Sequence, residues 1–155
     1  KHATGTDDDR SLDRRGLTEA AEMARRLVER GARPDTLLVS SAMRTRQTAA
    51  PIARAFSVAD HLVCYEAGLY LADAQTLLQR LRLLPNDKRH ALLIAHNPGV
   101  TELAAALSST GSAPDFDPAA MLLIELRCTS WAALARGAID AQEFDAPRLP
   151  FELDS

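Results

Sequence analysis

The sequence predicts an α/β domain of three layers, α/β/α, with helices on both faces of a mostly parallel central sheet. Three observations lead there. Short apolar runs alternate with amphipathic helical patterns, which is the order a parallel sheet with crossover helices requires. Two of the runs, Thr36-Leu37-Leu38-Val39-Ser40 and Leu92-Leu93-Ile94-Ala95, are apolar along most of their length and read as buried strands. Each then stops at polar residues that open into a helical pattern, and such strand ends are where open α/β sheets place ligands.

The elements follow in order. Residues 1–12 are polar and irregular, and the acidic triplet Asp7-Asp8-Asp9 reads as a solvated loop, because it lacks the spaced ligands and glycine of a calcium loop. Asp13 is placed to cap a helix over 13–30. Ala20, Met23, Ala24, Leu27 and Val28 form its apolar stripe, Glu19, Glu22, Arg25, Arg26 and Glu29 fill the other face, and Gly31 stops it. The strand at 36–40 leads into a helix over 42–56, where Pro51 removes an amide donor and predicts a bend or a late start. A short strand at 61–65, a loop at 66–70 and a helix opened by Asp73 and running to 84 follow, with Leu77, Leu78, Leu81 and Leu84 as the buried face. Beyond a turn at 85–88 come the strand at 91–95 and a helix over 99–109. A Ser, Gly, Pro and Asp-rich loop spans 108–118. Residues 121–127 predict a strand, 131–135 a weaker one, and the tail at 147–155, with two prolines, is irregular. A domain of this kind usually begins with a hydrophobic strand, and residues 1–12 contain none.

Length and composition set the outer bounds. The 155 residues suit one domain over 1–155, with 46% hydrophobic and 25% charged residues. A net charge of −3 shows no bulk basic character, so nucleic acid is not an expected partner. No run approaches the ~18 apolar residues of a membrane span, and no signal peptide is visible. Cys64 and Cys128 form no CxxC and read as reduced packing residues of a cytoplasmic protein. A monomer is the default for a small domain without an extra apolar face. The chain begins at Lys1 rather than Met, as a processed or trimmed N-terminus would.

Three segments bring polar groups to strand ends or loops: Lys1 with His2, Arg44 with Arg46 after the 36–40 strand, and His96 after the 91–95 strand. Two imidazoles and an arginine at one sheet edge make a phosphate site. Arginine forks two hydrogen bonds onto phosphoryl oxygens. A neutral imidazole can attack phosphorus, a protonated one can donate to a leaving group, and the charge that develops needs several fixed donors. Taken singly, each residue has a plainer reading. A strand-end histidine is commonly structural, a helix arginine is commonly a solvated surface charge, and His2 alone is a surface residue near a terminus. His61 and His90 flank strands, Glu66 is a loop carboxylate, and Tyr70 and Trp131 read as packing residues.

Together, Ser40-Ser41-Ala42-Met43-Arg44-Thr45-Arg46-Gln47-Thr48 and Ala95-His96-Asn97-Pro98-Gly99, each behind a strand, resemble the histidine phosphatase superfamily, and within it the small SixA-like phosphohistidine phosphatase group. The stretch from Asp7 to Gly16 fits that group's loop end and helix start, and Leu69-Tyr70 with Ala72 fits a further motif. Asp117-Pro118-Ala119-Ala120, Trp131 and Pro147-Arg148-Leu149 fit its C-terminal half, so the likeness covers nearly the whole chain. It implies a phosphoglycerate mutase-like fold in its small form, without a long lid, and a phosphohistidine phosphatase activity that uses no metal and no organic cofactor. It implies His2 as the nucleophile, Lys1 at the place of the flanking arginine, Arg44 as the second phosphate-binding arginine and His96 as the second histidine, with Asn97 beside it binding substrate. It also implies an open site for a phosphorylated protein such as a phosphorelay domain.

The first motif departs from the family pattern, with lysine where the family has arginine. Lysine keeps the charge and loses the planar fork. Two readings are open. In one, Lys1-His2 is the motif and the first strand has been cut away; in the other, Arg-His-Ala and its strand lie upstream of Lys1. A chain lacking that strand would lose a central sheet element and be unstable or inactive. Two other functions compete. A phosphomonoesterase for a small phosphorylated metabolite benefits more from a general acid, for which Glu66 or one of Asp7–Asp9 is the candidate, while the leaving imidazole of a phosphoramidate is easily protonated. A non-catalytic phosphate or phosphoprotein binder is the third reading.

Overall fold

The computed structural model describes residues 6–147. Lys1, His2 and the tail from residue 148 lie outside the described residues. In chain order the elements are α1 (Arg14–Glu29), β1 (Thr36–Ser40), α2 (Met43–Ala55), β2 (Val63–Glu66), α3 (Ala74–Arg82), β3 (Ala91–Ile94), α4 (Gly99–Leu107), β4 (Met121–Leu126) and β5 (Ile139–Asp145). Three parallel strands pair in the order β2-β1-β3, and β4 with β5 forms a separate antiparallel pair.

The alternation of side chains along β1 builds the layers. Leu37 and Val39 point to one face, where they pack with Ala24 and Leu27 of α1 and Ala49 and Ile52 of α2. Leu38 points to the other, among Leu77, Leu78 and Leu81 of α3 and Leu103 and Leu107 of α4. All five residues of β1 are buried, as a central strand with helices on both faces requires. The neighbours follow in register, with Leu93 beside Leu38, and Leu92 and Ile94 beside Leu37 and Val39. The α/β/α architecture is therefore the one the sequence predicts. β3 is less covered than β1, and among the described residues no strand pairs with its outer edge.

The helix ends are as expected. Asp13 accepts from the Gly16 amide at 2.7 Å, and Asp73 from the Thr76 amide at 2.9 Å. α1 closes with Gly31 at φ 75°, where the Gly31 amide donates to Val28 and the Ala32 amide to Leu27. α2 begins at Met43 and continues through Pro51, so the expected late start does not occur. The proline there costs one amide bond to the Gln47 carbonyl rather than the helix.

Two expectations are corrected and one strand is added. The predicted strand at 131–135 is a 3₁₀ turn, Trp131–Ala133, anchored by the Trp131 indole donating to the Lys88 carbonyl at 2.8 Å. The acidic loop contains a 3₁₀ turn, Asp7–Asp9. β5 was not predicted, because its five central residues are exposed and so carry no apolar pattern. Pairing with β4 holds it, as do Arg26 of α1 and Arg30, which caps the end of that helix; they grip Asp145 at 2.9 and 2.7 Å. Cys64 and Cys128 are free thiols that pack against the α3/α4 face. No helix among the described residues is long and apolar enough to cross a membrane.

Leu38 and Leu83 test this layering, being 0% and 77% exposed respectively. In urea titrations Leu38→Ala is expected to lower the unfolding free energy by about 2–5 kcal/mol. Leu83→Ala should stay within about 0.5 kcal/mol of the parent. Comparable losses for the two would contradict the placement of the core.

Candidate active site

Parallel pairing puts the C-terminal ends of β1 and β3 at one edge of the sheet. Ser40 ends β1, and His96 follows two residues after the end of β3. The two side chains meet there, with the Ser40 hydroxyl 2.7 Å from His96 Nε2. Ser40 is completely buried, so this contact fixes the ring from below. The Thr45 hydroxyl shares its one proton between the Ser40 carbonyl at 2.7 Å and the Ala42 carbonyl at 2.8 Å. These bonds tie the first turn of α2 to the end of β1 and set Arg44 on the same edge.

On the other flank of His96 stands Tyr70, whose ring meets the imidazole edge-on at 5.2 Å and 83°. Tyr70 follows a 3₁₀ turn, Ala67–Leu69, and precedes Leu71, which takes a left-handed φ of 52°. The chain then brings the Ala72 carbonyl against Gly99, at the start of α4. A Cβ on Gly99 would lie 2.1 Å from that oxygen, so no larger residue fits without moving backbone.

Asp7 completes the cluster. Arg44 donates Nη1 to the Asp7 carbonyl at 2.9 Å and Nη2 to Asp7 Oδ2 at 3.4 Å. The Tyr70 hydroxyl donates to Oδ2 at 2.5 Å, and Arg10 reaches Oδ1 at 3.4 Å. The Tyr70 hydrogen bond, followed by Arg44, holds the Asp7 carboxyl below the usual carboxylate range. The same bond raises the Tyr70 phenol. Burial, followed by the Arg44 cation, lowers the His96 imidazole, and Asp7 opposes this. At neutral pH the edge therefore presents a neutral imidazole, a guanidinium, a phenol and a carboxylate.

The other sequence candidates lie elsewhere or are engaged. Arg46 donates to the Ser41 carbonyl at 2.8 Å and stacks its guanidinium over Tyr65 at 4.3 Å. Asn97 uses both ends of its amide, donating to the Phe116 carbonyl at 2.6 Å and accepting from Thr101 at 2.8 Å, and so braces the loop after α4. Both Glu66 oxygens are held by Arg80 at 2.7 Å. His90 accepts from the Arg33 amide at 3.3 Å. Lys1 and His2 lie outside the described residues. Ser40 and Tyr70 are the residues that sequence reasoning passed over. A hydroxyl closing a buried strand was the available signal for Ser40; for Tyr70 it was the Leu69-Tyr70 and Ala72 stretch, which gave it no role. A groove of about 490 Å³ between α1 and α2, lined by Ala24, Val28, Pro51 and Ala55, is not at this edge.

Two measurements test the geometry. Gly99→Ala is expected to cost about 1–3 kcal/mol of stability and to shift the His96 ring resonances, because the turn must move off Ala72. An unperturbed variant would contradict the close approach. In an NMR titration the His96 imidazole should protonate below 6.5, and Arg44→Gln should move its midpoint up part of the way, since burial remains. The unfolded chain takes up this proton more readily than the folded one. The linkage thus favours the fold above 6.5 and is lost as pH falls from there through the lower midpoint of the folded ring.

Comparison with known proteins bears on the family and the fold. Residues 1–63 match the family model of the histidine phosphatase superfamily (branch 1), a span that contains Asp7 and Arg44 but stops short of His96. An uncharacterized protein of Mycobacterium leprae (strain TN) is 29% identical over 109 residues, covering 70% of this chain and 65% of that protein, just under two thirds of its length. Among solved structures, a candidate phosphohistidine phosphatase SixA from Nakamurella multipartitia superposes with a TM-score of 0.80 at 23% identity, over 96% of this chain and 91% of that one. The protein histidine phosphatase SixA complexed with tungstate superposes with a TM-score of 0.75 at 22% identity, over 99% and 92%. A candidate SixA from Agrobacterium tumefaciens reaches 30% identity with a TM-score of 0.60, over 67% and 66%. The chain thus resembles the histidine phosphatase superfamily in the sequence of its first 63 residues and has a SixA-like, phosphoglycerate mutase-like fold over nearly its whole length.

Proposed function

We propose that this chain is a phosphatase that hydrolyses phosphohistidine on a protein, by covalent phosphoryl transfer and without a metal or organic cofactor. The observation that carries the reading is Arg44 holding an anion next to the neutral imidazole of His96. A tetrahedral oxyanion asks for the same guanidinium. Tungstate, bound by one of the SixA structures that share this fold, is an oxyanion of that shape.

In this reading a histidine of the first motif, matched by His2, attacks phosphorus through a ring nitrogen. The bond from phosphorus to the substrate imidazole breaks, and that imidazole leaves with a proton. Water then attacks the enzyme phosphohistidine, releasing inorganic phosphate and restoring the histidine. Arg44 neutralises the charge on the equatorial oxygens, and His96, steadied by Ser40, donates to or accepts from the oxygens in flight.

The leaving group favours a phosphoramidate over a phosphate ester. An alkoxide needs a strong proton donor. Asp7 is held as an anion, and Glu66 is gripped by Arg80, so neither is poised to give one. An imidazole takes a proton near neutrality without that help. We place the activity in the cytoplasm, on a phosphorylated protein such as a phosphorelay domain.

Phosphate release from a phosphohistidine protein and from an aryl phosphate, both with chelator present, tests the proposal. Release from the phosphohistidine protein should persist with chelator and exceed release from the ester. Arg44→Ala and His96→Ala should each reduce it by about 10²–10³-fold. Loss on chelation would overturn the covalent mechanism, and full turnover in both variants would overturn the site. Trapped phosphate on a residue other than a histidine would overturn the nucleophile.

A further inference from the structure

The Asp7 carboxylate sits where the proposed chemistry wants a phosphoryl group. Its Oδ2 takes the Tyr70 hydroxyl at 2.5 Å and Arg44 Nη2 at 3.4 Å, while Arg44 Nη1 holds the backbone carbonyl of the same residue at 2.9 Å. A carboxylate oxygen and a phosphoryl oxygen accept the same bonds, and a guanidinium with a phenol beside it serves either. Resting on the phosphatase reading above, we propose that Tyr70 is a further oxyanion donor of the phosphoryl seat, and that Asp7 is an internal anion which fills this seat until substrate displaces it.

The two partners differ in how firmly they are built in. Tyr70 is set by structure on both sides. Its ring stands edge-on to His96, and the turn that carries it passes through left-handed Leu71 before the Ala72 carbonyl abuts Gly99. Asp7 lies on a short exposed turn that buries none of its residues. The stretch between that turn and α1 is held by the Leu12 amide donating to Gln47 at 2.6 Å and by the Asp13 cap. Swinging Asp7 away therefore breaks polar contacts that water or substrate can replace, and exposes no core. Its carboxyl is anionic at neutral pH, so it competes with a substrate anion in the resting protein.

A donor and a competitor have opposite effects on the same affinity, which separates both from a structural role. Inorganic phosphate binding to the full chain is measured by calorimetry, and KM with an aryl phosphate by kinetics. Asp7→Asn keeps the shape and removes the charge; it is expected to tighten phosphate and lower KM by about threefold or more, as the competent fraction rises. Tyr70→Phe keeps the ring against His96 and removes the hydroxyl; it is expected to weaken phosphate by about threefold or more, because a hydrogen bond to a charged group is lost while Asp7 gives up the same bond and competes less. Thermal melts of both variants identify one that merely fails to fold, and the other variant then decides. Unchanged or weaker phosphate binding in Asp7→Asn overturns the competitor, as does a fall in kcat at constant KM, which would mark Asp7 as a proton donor. Unchanged binding in folded Tyr70→Phe overturns the donor. A wild type that binds no phosphate, and is no different from Arg44→Ala, overturns the phosphatase reading and this inference with it. Phosphate binding by the wild type that Arg44→Ala abolishes, with Asp7→Asn unchanged, leaves that reading standing and rejects the competitor alone.

Discussion

Parallel pairing of β1 with β3, from Thr36 opposite Ala91 to Val39 opposite Ile94, sets where Ser40 and His96 of the candidate site fall, and the other site residues gather around them. It aligns two strand ends at one edge and brings the Ser40 hydroxyl to the His96 ring. A slip of β3 by one residue against β1 would turn Leu93 toward α1 and α2, and Leu92 toward α3 and α4. The leucine core and the imidazole are thus held by the same pattern. β1 has no solvent-facing side at all, and that makes its register costly to alter.

On this frame the electrostatics are arranged by proximity. Burial lowers the His96 imidazole and the Tyr70 hydrogen bond lowers the Asp7 carboxyl, and Arg44 adds to both, favouring the neutral ring and the anion. A neutral imidazole is the form that can accept a proton or a phosphoryl group, and burial first, with the Arg44 cation second, favours that form at His96. Asp7 pulls the other way on His96. Displacing Asp7 with a substrate anion would substitute one negative charge for another beside the ring, leaving its ionisation little changed by binding.

The fold was legible where burial wrote a pattern. β1 and β3 are apolar because helices cover them, α1 announces both caps through Asp13 and Gly31, and α3 shows its leucine face. It was illegible where pairing or a single anchor replaces burial. β5 is held by a ladder and by two arginines on Asp145, and Trp131 fixes a turn that reads as a strand. In the site, Arg44 and His96 stood out because each follows a strand end. Ser40 and Tyr70 did not, since their roles come from contacts 56 and 26 residues away in the chain, and no local spacing encodes those. Arg46 and Asn97 carried the right chemistry at the right places, and tertiary partners claimed both.

One backbone contact couples the two halves of the edge. Tyr70 and His96 come from different crossovers, one after β2 and one after β3, and ring packing alone would leave their separation loose. The Ala72 carbonyl pressed against Gly99 removes that freedom, because the chain leaving Tyr70 and the chain leaving His96 meet there without a side chain between them. The left-handed φ at Leu71 is what delivers the carbonyl to this point. Backbone strain at a non-glycine residue persists when surrounding structure over-determines it, and here the surroundings are the glycine on one side and the tyrosine–histidine contact on the other. A seat whose donors must sit within hydrogen-bond reach of one oxyanion gains most from such bracing. The strain and the missing side chain are therefore best understood as parts of the site, although neither Leu71 nor Gly99 offers a polar side chain to a substrate.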